Sequence, residues 1–406
     1  MTPGYGRYAL GLLFTVNLLN YIDRQVLFAV FPLIKAELSL SDTALGLLGS
    51  GFMLSYMASA PVLGWIGDRY GRVKLAGLGL SLWSIATAAT GMAGRYSTIL
   101  ASRAAVGIGE ASFGTVSPGL ISDYFPKERR GRVLSLFYLA IPVGSAVGYI
   151  LGGILGQAFG WHSAFFIAAL PGLALAAPIF FLREPRRGAT EKDAKISVPR
   201  PADYISLFKN RPFVIATLAM AAMTFAMGGL AQWLPSFLYR VHGQSIAAGN
   251  ALFGTITVIS GIAGTLTGGW LGDRFQKRSG KGYLMVSGIG FLAGTPIAAY
   301  ALVSSSLTGC LIAIFFAEFF LFFNTGPLNT TIVNVTGPSV RAMAFAVNIF
   351  FIHALGDAVS PAILGRLSDI WGLRTALLIT PFMILLAAGF SFLCIRYVEK
   401  DSRENV

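Results

Sequence analysis

The sequence predicts an all-α integral membrane protein of twelve transmembrane helices in two pseudo-symmetric six-helix bundles. Three observations lead there. Of 406 residues, 55% are hydrophobic and only 12% charged, where a soluble chain carries about 25% charged. The apolar residues gather in runs of about 20, the length a helix needs to cross the hydrocarbon of a bilayer. The chain also repeats itself at long range: GWIGDRYGR at 64–72 returns as GWLGDRFQKR at 269–278, an offset of 205.

The runs place candidate spans at 8–33, 45–67, 75–94, 97–122, 133–157 and 163–182, then at 213–238, 248–271, 283–303, 308–333, 343–365 and 374–397. The first continues too far for a signal peptide and lacks a small-residue cleavage site, so it reads as a span. Spans 2 and 8 end in the two copies of the Gly-Asp-Arg loop. Span 4 carries RAAVGIGEA. Span 5 holds Gly144, Gly148 and Gly152, whose spacing lets a neighbouring helix approach closely. Gly144, Gly148 and Gly153 are matched at an offset of 212 by Gly356, Ser360 and Gly365 in span 11. In span 10, Asn324, Gly326, Pro327 and Asn329 predict a kink or break, tolerated where backbone lines a cavity or packs in protein. The polar stretch between spans 6 and 7 divides the chain into an N-terminal bundle 1–182, a cytoplasmic linker 183–212 and a C-terminal bundle 213–406. Two parallel repeats imply a carrier whose site lies at the midplane between them.

Net charge is +13, from 31 Lys and Arg against 18 Asp and Glu. A basic soluble protein suggests nucleic acid, but here the excess follows topology. With the N-terminus inside, 24 basic residues fall on the cytoplasmic side and five outside. The positive-inside rule then sets both termini in the cytoplasm, which requires an even number of spans. Soluble enzyme, nucleic-acid binder and secreted disulfide scaffold are set aside, and too few residues remain outside the spans for a separate catalytic domain. Cys310 and Cys394 fall in apolar runs and read as packed thiols. No HExxH and no Cys/His cluster argue for a metal. Gly107-Ile108-Gly109 follows no strand, so no dinucleotide or other cofactor is expected.

Ionised groups at mid-bilayer cost about 2.5–3.5 kcal/mol each on insertion scales, so each one needs a reason. Asp23 and Arg24 lie in span 1, Arg103 and Glu110 in span 4. Asp23 is about 15 Å from the outer end of its span and Glu110 about 20 Å from the outer start of its own, within roughly one turn of the same level. Arg103, Gly107 and Glu110 share a face. Asp23 and Arg24, as neighbours, point about 100° apart, so at least one should look to another helix. Two chemistries suit this set. The carboxylates could load and release a proton, since burial favours the neutral acid and a guanidinium the charged one. Arg24 or Arg103 could hold an anionic head group by bidentate hydrogen bonds. A static ion-pair network that only orients helices uses the same residues.

The second half offers Glu318 in span 10, and His353 and Asp357 one turn apart in span 11, which share a face and could titrate together or bind substrate. Leu, Phe and Ala dominate spans 7, 10 and 11, so that side of a cavity should be greasy and would suit the tail of an amphiphile. Asp68, Arg69, Asp273 and Arg274, at the inner ends of spans 2 and 8, read as a cytoplasmic gate, with Asp123 as partner for Arg72. Loop solvation alone would be worth under about 1 kcal/mol per pair.

The loop GWIGDRYGR, with its second copy, resembles the signature loop of the major facilitator superfamily, and RAAVGIGEA resembles the span-4 arginine motif of its proton-coupled members. NYIDRQVL, VGIGEASFG, FYLAIPVGSAVGYILGG and WHSAFFIAALPG are similar to the Spinster family of sphingolipid and lysophospholipid carriers. The resemblance implies the major facilitator superfamily fold and protonation at Asp23 and Glu110. It implies head-group contact, or organisation of those acids, by Arg24 and Arg103. The expected function is proton-coupled transport of an amphiphilic anionic lipid, a lysophospholipid or sphingoid phosphate, by alternating access. NYIDR and the span-4 arrangement also resemble proton-coupled symporters of small organic anions such as sugar acids, which stand as the alternative. A receptor that binds without transporting is the third reading. The expected partners are protons, a lipid or small-molecule anionic substrate and membrane lipids, with no nucleic acid. The expected state is a monomer in a bacterial inner membrane.

Overall fold

The computed structural model describes residues 3–185, 205, 207–336 and 340–404, without the side chains at 3, 68, 127, 128, 131, 341, 342 and 399–404. Most of the predicted 183–212 linker therefore lies outside the described residues. The first half comprises α1 Pro3–Ala29, α2 Phe31–Leu38, α3 Asp42–Tyr70, α4 Arg72–Gly91, α5 Tyr96–Tyr124, α6 Lys127–Tyr138, α7 Ala140–Phe159 and α8 Trp161–Phe180. The second comprises α9 Arg211–His242, α10 Ile246–Ser279, α11 Gly282–Val303, α12 Leu307–Phe323, α13 Thr325–Val335 and α14 Arg341–Ile352. A π-helical turn His353–Asp357 follows, then α15 Ser360–Trp371, α16 Leu373–Leu377 and α17 Ile379–Glu404.

Among the described residues, ten helical stretches are long and apolar enough to cross a bilayer. The two predicted spans outside that set are α1 and α5, of 27 and 29 residues. Their length suffices, and they hold the intramembrane charges Asp23, Arg24, Arg103 and Glu110. With them the fold has the twelve spans of its class. Large apolar side chains such as Leu170, Phe181 and Leu266 are more than 60% exposed, as a lipid-facing surface requires.

Several predicted spans are broken, each for a local reason. Span 1 stops at Ala29 and restarts at Phe31, where Pro32 in the first turn lacks the N–H that an unbroken helix would use. Span 10 breaks at Asn324, the junction of α12 and α13. Span 11, predicted over 343–365, passes through the π turn, where Gly356 takes φ −106° and ψ −108°. A Cβ on Gly356 would stand 2.9 Å from Thr224 Cβ, so the missing side chain lets this turn lie against α9.

By its contacts the chain groups into unit 1, Met1–Lys195 with Leu238–Gly254, and unit 2, Ile196–Phe237 with Thr255–Val406. In unit 1, α7 runs against α1. Added Cβ atoms on Gly144 and Gly148 would lie 2.7 and 2.6 Å from the carbonyl oxygens of Leu18 and Ile22. In unit 2, α10 meets α12 the same way, with Gly264 and Gly268 against the carbonyls of Phe319 and Phe323. The repeat seen in sequence extends to the turns. Gly160 and Gly372, 212 apart, have φ 82° and 80°, which glycine adopts at no steric cost. Each donates its N–H to the carbonyl four residues back, on Gly156 and Ser368.

Candidate functional site

The charges of α1 and α5 are cross-paired inside unit 1. Arg24 Nε donates to Glu110 Oε2 at 2.6 Å, and Arg103 Nη1 donates to Asp23 Oδ1 at 3.2 Å. The neighbours Asp23 and Arg24 thus turn to different partners, as their angular separation on α1 requires. Thr87, from α4, donates its hydroxyl to the other oxygen, Asp23 Oδ2. Side-chain exposure is 18% for Arg24 but 0–4% for Glu110, Arg103 and Asp23, so Arg24 is the member that a ligand can reach. Charge-assisted bonds of this kind are the strong ones, and within hydrocarbon each charge needs its partner.

Aromatic rings complete the surroundings. The Arg24 guanidinium lies 4.9 Å from the Tyr21 and Phe52 ring centres and 5.4 Å from that of Tyr56. Arg103 lies 5.3 Å from the Phe52 centre, so one ring serves both cations. Gly107 makes this arrangement fit. A Cβ there would stand 2.3 Å from Ser55 Oγ and 2.4 Å from the Phe52 carbonyl, so its absence lets α3 close on α5 and delivers Phe52 and Tyr56 to the arginines. Two buried polar atoms, Glu110 Oε1 and Arg103 Nε, have no hydrogen-bond partner among the described residues. The open Glu110 oxygen, beside a balanced ion-pair set, is an acceptor on which a proton can sit.

Where α3 gives way to α4, Arg72 donates to Asp123 Oδ2 at 2.7 Å. It also meets Glu184, whose Oε1 accepts from Arg72 Nε and backbone N at 3.1 Å each, while Oε2 accepts from Val73 N at 2.9 Å. Glu184 therefore caps the N-terminus of α4, where a carboxylate meets orphan N–H groups. The side chain of Asp68 lies outside the described residues. Arg69 lies over the Trp65 and Tyr70 rings. Asp273 and Arg274 do not meet each other: Asp273 accepts from Tyr283 Oη at 2.7 Å, and Arg274 lies over the Trp270 ring. The Arg69–Trp65 and Arg274–Trp270 stacks are equivalent under the 205-residue offset. At the opposite end of unit 1, Asp42 accepts from Lys35 and, at 2.7 Å, from Arg240 Nη1.

In unit 2, His353 Nδ1 and Asp357 Oδ1 are 2.8 Å apart. Glu318 forms no ion pair among the described residues; Thr257 and Ser260 donate to its two oxygens at 3.1 Å each. The aromatic run around it, Phe319, Phe320 and Phe323, lines a wholly apolar cavity of about 350 Å³. Cys310 and Cys394 are buried free thiols.

Sequence reasoning found the four charges of unit 1 and the Arg72–Asp123 pair. It missed Thr87, Phe52, Tyr56, Glu184 and Asp42. Thr87 and Phe52 sit in apolar runs with no pattern to separate them from packing residues. Glu184, the acid that follows span 6 in REPRR, carried a signal: a carboxylate near two helix ends.

A family model described as Major Facilitator Superfamily matches residues 13–361. The chain is 34% identical to Protein spinster homolog 1 of Xenopus laevis, over 97% of this chain and 81% of that one. It is 35% identical to the Homo sapiens protein of the same name, over 91% and 74%. It is 33% identical to the sphingosine-1-phosphate transporter SPNS2 of Danio rerio, over 98% and 85%. Its fold is similar to the crystal structure of a bacterial homologue of the human lysosomal transporter Spinster, with TM-score 0.88, 25% identity and 99% of each chain covered. Charges buried among apolar membrane-spanning helices, a repeated loop and relatives matched along most of their length lead to one conclusion. The chain belongs to the Major Facilitator Superfamily and is, within it, a Spinster-like multi-pass membrane transporter rather than an enzyme.

Proposed function

We propose that the protein moves an amphiphilic anionic lipid, a lysophospholipid or sphingoid phosphate, across the membrane by alternating access, with proton binding at Asp23 and Glu110 as the coupling step. One observation carries the reading: Arg24, the accessible cation, is neutralised by a buried carboxylate that still has an open oxygen. In the structure two guanidinium groups balance two carboxylates. A proton on Glu110 removes one negative charge and leaves Arg24 free to take another from a head group. Departure of the anion returns Arg24 to Glu110 and expels the proton. The coupling follows from charge balance in a medium that penalises an unpaired ion.

The surroundings suit that substrate class. A guanidinium is a planar fork that grips phosphate and packs on aromatic faces, and Tyr21, Phe52 and Tyr56 hold Arg24 in place. The phenylalanine-lined cavity of unit 2 offers apolar surface for a chain. The name of the Danio rerio relative supports a lipid phosphate. Arg103 organises Asp23, and His353 with Asp357 adds a polar patch in the second half. The two halves are taken as 1–182 and 213–406. Asp68, Arg69, Arg72, Asp123, Asp273 and Arg274 form the cytoplasmic gate. The protein acts as a monomer in a bacterial inner membrane with both termini in the cytoplasm.

Uptake by proteoliposomes tests the substrate class. A fluorescent sphingoid phosphate or lysophospholipid should enter in preference to a sugar acid, with an imposed proton gradient increasing the rate. Uptake of the sugar acid alone would establish the small-anion symporter instead. Binding of lipid without movement would establish a receptor.

A further inference from the structure

Glu318 differs from the acids of unit 1 in one respect. Asp23 and Glu110 each face an arginine, whereas Glu318 is buried with 7% exposure and, among the described residues, is hydrogen-bonded by hydroxyls alone. It lies 11 residues into α12, about 17 Å along that helix, near the middle of a bilayer core about 30 Å thick. The close approach of α10, made by Gly264 and Gly268 against backbone carbonyls of α12, brings Thr257 and Ser260 to its oxygens. Other titratable or charged groups on the packed elements are remote. Those of α10, Asp273, Arg274, Lys277 and Arg278, begin 13 residues beyond Ser260, about 20 Å away. Those of α11 are Tyr283 and Tyr300, at its ends. Cys310, on α12, lies two turns or more from Glu318, and α13 has none.

The hydroxyls can serve either protonation state. With Glu318 ionised, Thr257 Oγ1 and Ser260 Oγ both donate to it, at 3.1 Å each. With Glu318 neutral, its own O–H can donate to Ser260 Oγ, because a hydroxyl both donates and accepts. The Ser260 hydrogen then turns to the Thr257 carbonyl, already 3.4 Å away. Only hydroxyl rotors move and no buried group loses its partner. An arginine could not exchange roles in this way, since it never accepts.

We propose that Glu318, held by Thr257 and Ser260, is a second proton-binding site carried by unit 2, separate from the arginine-paired acids of unit 1. Its part in transport rests on the proton-linked function proposed above, but its proton can be observed independently. The test is pH-difference infrared spectroscopy of the full chain in lipid, read at the carboxylic-acid carbonyl stretch. A band that disappears as pH rises should be present in the wild type, retained in the Asp23→Asn/Glu110→Gln variant and absent in Glu318→Gln. Ser260→Ala should move its midpoint by about one pH unit, the worth of one hydrogen bond, and this variant serves if Glu318→Gln does not fold. A spectrum unchanged by Glu318→Gln, or a midpoint unmoved by Ser260→Ala, would overturn the proposal. So would a band whose midpoint follows sodium concentration when sodium replaces choline at constant ionic strength. Failure of the gradient to drive uptake in the wild type would instead refute the coupled-transport reading and leave the band to report on Glu318.

Discussion

Removing the carboxylate of Glu110 should cost far more in the presence of Arg24 than in its absence. The side chain of Glu110 is fully buried and that of Arg24 is 18% exposed, with 2.6 Å between their bonded atoms. Loss of one partner from a buried ion pair costs about 3–5 kcal/mol, because the other charge stays behind. The partial exposure of Arg24 and its three rings, each worth about 0.5–2 kcal/mol as cation–π contacts, place Glu110→Ala near the lower bound, at about 3 kcal/mol. Once Arg24 has been replaced by Met, Glu110 is itself the stranded group, so a further Glu110→Ala should cost nothing. The difference, about 3 kcal/mol, is a more than hundredfold change in the folding equilibrium. Reversible unfolding in mixed micelles, titrated with sodium dodecyl sulfate, measures all four corners of the double-mutant cycle. Costs that add to within about 0.5 kcal/mol would show that the two side chains do not sense each other, and the charge-balance argument would fall with them.

Other outcomes follow from the same geometry. Gly107→Ala should destabilise by about 1–3 kcal/mol, as overpacking does, because its methyl would meet Ser55 Oγ and the Phe52 carbonyl; an unchanged melting temperature in detergent would contradict the close approach of α3 and α5. Arg24→Lys keeps the charge but loses the planar fork, so titration calorimetry should show affinity for a lysophospholipid falling about tenfold, or 1.4 kcal/mol. Equal affinity would mean that a point charge suffices. Glu184→Ala should cost about 1 kcal/mol, the worth of a helix cap, and speed hydrogen exchange at the amides of Arg72 and Val73. Unaltered protection there would deny Glu184 its capping role.

The parts of this molecule that were legible in the sequence are those where the bilayer acts as a filter. A helix must be about 20 residues long to span, so the apolar runs announced the elements. A buried charge must have a reason, so Asp23, Arg24, Arg103 and Glu110 stood out. The offset of 205 revealed the duplication because the two loops carry the same Gly-Trp-x-Gly-Asp-Arg residues. What remained hidden depends on which side of a helix meets which neighbour. Phe52 and Thr87 are ordinary residues in apolar runs, and only the approach permitted by Gly107 and the packing of α4 on α5 give them roles. Span 11 read as continuous because a π turn adds no residue type of its own; Gly356 alone marked it, and one glycine among 48 is a faint mark. Asp273 and Arg274 read as gate residues from their place at the end of span 8, but adjacent helical side chains point apart, and only the structure shows the aromatic neighbour of each, Tyr283 and Trp270.

Gradient-driven lipid uptake by the Glu110→Gln protein, set beside the wild type in the same vesicles, goes most directly to the claim that a buried acid ties substrate movement to protons. Wild-type uptake should rise when the imposed proton gradient is switched on, and the variant, if folded and able to bind lipid, should carry at one rate with or without it. An equal response to the gradient in both proteins would contradict the account.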